Sequence, residues 1–106
     1  MKDPLHELLL KRPPAAAWDE ICALFVYDDD VASYRTYHRT ANGPWRCYDY
    51  EGFALLDWFE AQFGADSQLR SIKATLDKSG QFQLKRGHEP RDFLMQGDDN
   101  ALINSF

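Results

Sequence analysis

The feature that most constrains this fold is a two-residue alternation of apolar and polar side chains between positions 72 and 84. Apolar residues recur at every second position before a short turn and again after it. The turn, residues 77–80, reads Asp-Lys-Ser-Gly, which is typical of a tight reversal of the chain. Alternation around such a turn predicts a β-hairpin with one face directed toward a core. That face consists of Ile72, Ala74, Leu76, Phe82 and Leu84.

Three more strands are predicted upstream of the hairpin. Residues 21–27 are rich in β-branched and aromatic side chains and apolar on both faces, which indicates a central strand. Residues 31–40 alternate in polarity and form a second strand. Residues 45–50 form a third, after a turn signal at 42–44. Because the connections between these strands are short, we expect antiparallel pairing.

Two helices complete the predicted architecture. Asp3-Pro4 is a typical helix start, and a short amphipathic segment follows it. A clearer helix begins after Gly52 and ends at Gly64, with Trp58 beside its main apolar stripe. The stripe consists of Phe53, Leu55, Leu56, Phe59 and Phe63. We therefore predict an α+β fold, a single antiparallel sheet of about five strands with two main helices packed on one face.

The net charge of the chain narrows the classes of molecule that we expect it to bind. The chain of 106 residues carries 12 basic and 17 acidic side chains, for a formal net charge of −5. Nucleic acids and anionic membranes require a basic surface, so both are disfavoured as partners, whereas a basic protein is favoured. At this length, with 44% hydrophobic residues, we expect one globular domain over residues 1–106. The sequence leaves open how far the end segment, residues 91–106, is ordered.

The sequence predicts a cytoplasmic protein. Its first apolar run, Leu8-Leu9-Leu10, is too short for a signal peptide, and no stretch reaches the roughly 20 apolar residues of a membrane-spanning helix. Cys22 and Cys47 lack the paired spacing of a zinc site or of a disulfide framework. We expect both to be reduced thiols in the core.

No pattern in the sequence indicates catalysis, and we expect neither an enzyme nor a bound cofactor or metal. His6, His38 and His88 fall in different predicted elements, and no serine lies in a nucleophile elbow. The glycines are too dispersed for a phosphate-binding loop. The alternative from a different class is a small enzyme that uses Asp49, Glu51 or His38 in a cleft.

The run Asp28-Asp29-Asp30 is a first candidate binding feature. It lacks the alternating ligands and the glycine of a Ca²⁺ loop, so no cation site is predicted. One interpretation is a solvated turn whose charges prevent edge-to-edge strand pairing. The other is a binding site for a basic partner. The positive charges of such a partner relieve the repulsion among the three neighbouring carboxylates, so the partner associates faster.

A second candidate lies in residues 45–51, where aromatic and acidic side chains are mixed. Protein interfaces combine aromatic anchors with a charged rim. The candidate contact residues are Trp45, Tyr48, Asp49, Tyr50 and Glu51. Because side chains alternate along a strand, one face of this segment belongs to the core, and only about half of its aromatic residues can contact a partner.

The order of features along the chain is itself informative. Trp18 precedes an apolar strand, and a Tyr-rich strand follows the acidic turn. An amphipathic helix then leads to the hairpin SIKATLDKSGQFQLK. The turn of this hairpin ends in Gly80, which is followed by Gln81 and Phe82. This order resembles the YezG-like immunity proteins of bacterial polymorphic-toxin and contact-dependent growth inhibition systems. The match covers residues 18–86. It departs from the family in a shorter opening helix and in Leu-Lys-Arg at 84–86, where an acidic or aromatic ending is expected.

The resemblance implies an immunity protein, which is produced beside a toxin and neutralises it by covering its active site or a nearby surface. Such toxins are commonly nucleases, which are basic because they bind phosphates, so the inhibitor is acidic and needs no cofactor. The implied contacts are the carboxylates of Asp28, Asp29, Asp30, Asp49 and Glu51, with Trp45, Tyr48 and Tyr50 as anchors. The alternative within the same class is a small adaptor for a protein of its own cell, and an adjacent upstream toxin gene would distinguish the two.

Overall fold

The computed structural model describes residues 4–15, 17–28, 31–41, 43–88 and 103. Its elements, in chain order, are α1 (Pro4–Lys11), β1 (Glu20–Asp28), β2 (Val31–Arg39), β3 (Arg46–Tyr48), α2 (Ala54–Ala65), β4 (Ser71–Asp77) and β5 (Phe82–Gly87). The predicted order of helix, three strands, helix and two strands is confirmed. Within these residues, neither helix combines the length and the apolar character needed to cross a membrane.

The five strands form one antiparallel sheet in the order β3-β2-β1-β4-β5. At its centre, Cys22 of β1 lies opposite Tyr37 of β2 on one side and Thr75 of β4 on the other. Residues 21–27 were predicted as a central strand because they are apolar on both faces, and this prediction is confirmed. The α+β architecture of a five-stranded sheet with two helices is also as predicted.

The main core lies between the sheet and the two helices. Alternate residues of β1 face the helices, since successive side chains of a strand point to opposite faces. The ring centre of Phe25 lies 5.3 Å from that of Trp58 and 5.2 Å from that of Phe59. The other buried members of this core are Leu5, Leu9, Ile21, Ala23, Tyr50, Leu55, Leu69, Ile72, Ala74 and Leu76. Trp58, predicted to lie beside the apolar stripe, is therefore a core residue.

The opposite face of the sheet carries a second, smaller core. Its buried members are Cys22, Leu24, Val26, Tyr37, Trp45 and Ile103. Ile103, from the end segment 91–106, is 1% exposed. The Nζ atom of Lys73 donates a hydrogen bond to the carbonyl oxygen of Ile103 at 3.0 Å. The chain therefore returns at Ile103 to cover the face that the two helices leave open, while the remainder of that segment lies outside the described residues.

Local predictions for β3, for the end of α2 and for Cys47 differ from the structure. The strand predicted at 45–50 is confined to Arg46–Tyr48, because the chain then turns toward the helix-side core. α2 continues one residue past Gly64, to Ala65, within the usual uncertainty of a helix end. Cys47 was expected in the core but is exposed, since β3 lies at the edge of the sheet.

Candidate protein-binding surface

The predicted segment 45–51 forms one edge of the sheet and the connection into α2. The Thr36 hydroxyl donates a hydrogen bond to the carbonyl oxygen of Tyr48 at 2.6 Å. The Tyr34 hydroxyl donates to the carbonyl oxygen of Tyr50 at 3.4 Å. Because these side chains satisfy backbone carbonyls near the end of the strand ladder, they fix the connection against β2.

Two of the three predicted aromatic anchors are buried. Trp45 is 7% exposed and Tyr50 is 6% exposed. The guanidinium of Arg39 lies 4.3 Å from the centre of the Trp45 ring, and Arg39 also pairs with Glu20 at 2.9 Å. The Tyr50 hydroxyl donates a hydrogen bond to the carbonyl oxygen of Leu8 in α1. In this structure neither ring is available to a partner, and both stabilise the fold.

The third predicted aromatic residue, Tyr48, is half-buried on the edge strand. Its ring meets that of His38 edge-on, with the ring centres 5.8 Å apart. Burial raises the pKa of the Tyr48 hydroxyl, and burial likewise raises the pKa of the Tyr50 hydroxyl. Both phenols are therefore uncharged at neutral pH. Among the predicted aromatic contacts, Tyr48 is the one that is partly exposed, although its hydroxyl oxygen is buried.

The two predicted carboxylates of the segment are both exposed. Asp49 lies at the surface, and the side chain of Glu51 is 85% exposed. Glu51 lies 3.5 Å from the guanidinium of Arg12, just after α1. A pair this exposed contributes little to stability, because water screens it. Neither carboxylate is enclosed in a cleft, which the enzyme alternative requires, and both are accessible to an incoming cation.

The acidic run begins at Asp28, the last residue of β1. The strand pairing ends where Asp28 is opposite Val31, and Asp29 and Asp30 lie outside the described residues. Tyr34 is three residues from Val31 along β2, a separation of about 10 Å at the usual rise of a strand. Because Tyr34 also holds the connection into α2, the Asp28–Val31 pair and that connection lie toward the same end of the sheet.

α2 adds exposed carboxylates that were not selected from the sequence. Residues 47–69 contain five acidic side chains and no Lys, Arg or His. Phe53, Asp57 and Glu60 follow one another at spacings of four and three, which places them on one face, and all three are exposed. We define the acidic surface as the exposed carboxylates of Asp49, Glu51, Asp57 and Glu60. The charge bias of residues 47–69 is visible in the sequence and could have indicated this surface.

Other titratable side chains lie in separate places. His6 packs edge-on against Phe82 at a ring distance of 5.6 Å, and His88 pairs with Asp66 at 2.9 Å. In the part of the chain that the structure describes, no three His, Cys, Asp or Glu side chains are grouped to hold a metal ion. A groove of about 570 Å³ along β4 and β5 is lined by Lys73, Thr75, Gln83, Leu84 and Lys85. None of the predicted contact residues is in that lining.

Comparisons of the chain with models of protein families and with curated proteins found no match. The fold and the surface define a small α+β protein with a concentration of exposed carboxylates on the connection into α2 and on α2 itself. Function is therefore inferred from the geometry and charge of the described residues.

Proposed function

We propose that this protein is an immunity protein, which binds a cognate bacterial toxin domain, a basic nuclease, and neutralises it by covering its active site or a nearby surface. The observation that carries the proposal is the acidic surface, which lies within residues 47–69, a segment without a basic side chain. The resemblance of the strand and hairpin order to YezG-like immunity proteins supports it. The proposed site of action is the cytoplasm, and no catalysis, cofactor, nucleic acid or membrane is involved.

The charge of the acidic surface suits this mode of inhibition. A nuclease needs cationic groups to hold the phosphates of its substrate. The same groups attract carboxylates, so an inhibitor that occupies them excludes the substrate. Exposed carboxylates grouped in a segment without a basic side chain also make the local potential more negative, which increases the rate of association with a basic partner.

The half-buried Tyr34 supports the proposal indirectly. Its hydroxyl lies 3.4 Å from the carbonyl oxygens of both Tyr50 and Gly52 and so fixes the backbone of the connection into α2. A surface that is rigid before binding loses less conformational entropy on association. The exposed carboxylates of Asp49 and Glu51 are therefore presented on a connection that is already ordered.

The proposal is tested by the kinetics of binding to the polypeptide encoded beside this gene. Glu60→Gln removes one charge from the acidic surface, and Glu7→Gln makes the same chemical change at an exposed position of α1. We expect Glu60→Gln to slow association at low salt and to have little effect at high salt, where charges are screened. Glu7→Gln is expected to change association less. Equal effects of the two variants would show that net charge, rather than this surface, steers binding.

The acidic run is tested in the same assay. Replacing Asp28, Asp29 and Asp30 together by Asn is expected to slow association and to flatten its dependence on salt concentration, because three steering charges are removed. Unchanged kinetics at low salt would remove the run from the proposed contact.

A further inference from the structure

Phe53 is the most exposed large apolar side chain among the described residues. It is 76% exposed, whereas Leu10 is 45% exposed. Phe53 was predicted to belong to the apolar stripe of α2, and that prediction was wrong. The helix begins at Ala54, and Phe53 precedes it with φ −110° and ψ 7°. Its ring therefore lies outside the core.

Local stability favours a different kind of side chain at this position. Phe53 is the N-cap of α2 and makes no side-chain capping hydrogen bond. Ser, Thr, Asp and Asn stabilise a helix at its N-cap because they accept hydrogen bonds from N–H groups that have no partner within the helix. An exposed phenyl ring makes no such bond and gains little from burial. Residues that break a local rule without a gain in folding are expected at functional sites.

Residues of the acidic surface lie on both sides of Phe53 along the chain. Glu51 precedes Phe53 by two residues, and the N–H of Asp57 donates to the carbonyl oxygen of Phe53 at 2.9 Å. Glu60 follows on the same exposed face. An apolar ring among carboxylates is complementary to an apolar recess whose rim carries Lys and Arg side chains.

We propose that Phe53 is the apolar anchor of the toxin contact and inserts into such a recess on the basic partner. This inference rests on the proposed function, and it assigns separate roles to the ring and the carboxylates. The carboxylates steer the encounter and set the association rate, because their interactions act over a distance. Burial of the ring in the complex slows dissociation, which is where most differences in affinity among variants of one interface arise.

Phe53→Asp separates the two roles. It removes the ring, adds a carboxylate, and places an acidic group at the N-terminus of α2, where such a group stabilises a helix. With the polypeptide encoded beside the gene as the probe, we expect association at low salt to be unchanged or faster. Dissociation is expected to be at least about tenfold faster. The melting temperature is expected to equal or exceed that of the wild type.

Leu10→Asp is the control, because it likewise replaces a large apolar side chain by a carboxylate at the other such exposed position in the described part of the chain. Its dissociation rate is expected to match that of the wild type. A wild-type dissociation rate for Phe53→Asp would overturn the inference and leave the immunity proposal standing. Faster dissociation together with a lowered melting temperature would assign Phe53 a role in the fold and also overturn it. Failure of the wild type itself to bind would reject the proposed function and this inference with it.

Discussion

The hydroxyl of Tyr50 donates a hydrogen bond to the carbonyl oxygen of Leu8, and this bond joins the connection after β3 to the first helix. The two residues are 42 positions apart in the chain. Leu8 lies near the C-terminus of α1, where helix carbonyls lack partners within the helix, so a side-chain donor is useful there. The bond explains why Tyr50 faces inward although its neighbours Asp49 and Glu51 are exposed.

Tyr50→Phe is expected to destabilise the protein while leaving toxin binding intact. The variant keeps the buried ring but loses one hydrogen bond, which costs about 1 kcal/mol in the free energy of unfolding. Urea denaturation measures this loss, and the rates of toxin binding should match those of the wild type. Normal stability with weakened binding would instead return Tyr50 to the list of contact residues.

Ile103 is expected to be essential to the fold although it lies in the end segment. Its side chain is 1% exposed and belongs to the core on the face opposite the helices. Ile103→Ala should lower the free energy of unfolding by about 2–5 kcal/mol, the usual cost of removing a large buried aliphatic side chain. Leu10→Ala is a suitable comparison, since Leu10 is 45% exposed and should lose much less. If urea denaturation found the same loss of unfolding free energy for Ile103→Ala and Leu10→Ala, the placement of Ile103 in the second core would be contradicted.

Gly87 and Ser71 are expected to be energetically coupled. A Cβ atom at Gly87 would collide with the Ser71 hydroxyl oxygen, which lies directly across the β4–β5 pairing. Gly87→Ala should therefore destabilise the protein by about 1–3 kcal/mol, the usual cost of overpacking. Adding Ser71→Ala removes the colliding oxygen and should recover much of that loss. A double-mutant cycle that finds the two changes additive would show that the collision is relieved in another way.

Stability is expected to fall at alkaline pH because of Cys22. Burial raises the pKa of the Cys22 thiol from 9.0 to about 12. Above pH 9.0 the thiol ionises in the unfolded chain but stays protonated in the folded one. Loss of this proton therefore stabilises the unfolded state relative to the folded state. The contribution of the Cys22 thiol to the free energy of unfolding is therefore fully present below pH 9.0 and is lost as the pH rises toward about 12. Tyr48 and Tyr50 also lower the stability of the folded state at alkaline pH, since burial raises the pKa of each hydroxyl.

Cys22→Ala should flatten this alkaline decline in the free energy of unfolding, measured by urea denaturation between about pH 8 and 10. Cys47→Ala is the matched control, because it removes the same group from an exposed position, and we expect it to flatten the decline less. In the native wild type, a thiol reagent should modify Cys47 rapidly and Cys22 only on unfolding. Equal slopes for the two variants would show that the Cys22 thiol does not cause the decline.

The sheet and its hairpins follow from local patterns in the sequence. The alternation around residues 77–80 fixes both the turn and the inward face of β4 and β5, because a strand places every second side chain on one face. Similarly, β1 is apolar on both faces, which suits only a strand with neighbours on each side and cores above and below.

The details of the candidate surface depended on tertiary contacts that no local pattern contains. Phe53 was grouped with the apolar stripe of α2, but it precedes the helix and lies at helical spacing from Asp57 and Glu60, on the exposed face. The inward direction of Tyr50 depends on a carbonyl of α1. Trp45 is covered by Arg39 from another strand. Ile103 ends the short apolar stretch Ala101-Leu102-Ile103, which has no strand or helix periodicity, so no local pattern indicated that it would complete a core.

The central claim is tested most directly by purifying the protein with the polypeptide encoded beside its gene and measuring binding at low and high salt together with the toxicity of that polypeptide. We predict nanomolar binding that weakens as salt is added, because the acidic surface contributes electrostatic attraction. Toxicity should disappear when the two proteins are produced together. A neighbour that does not bind, or that binds and remains toxic, would contradict the assignment as an immunity protein.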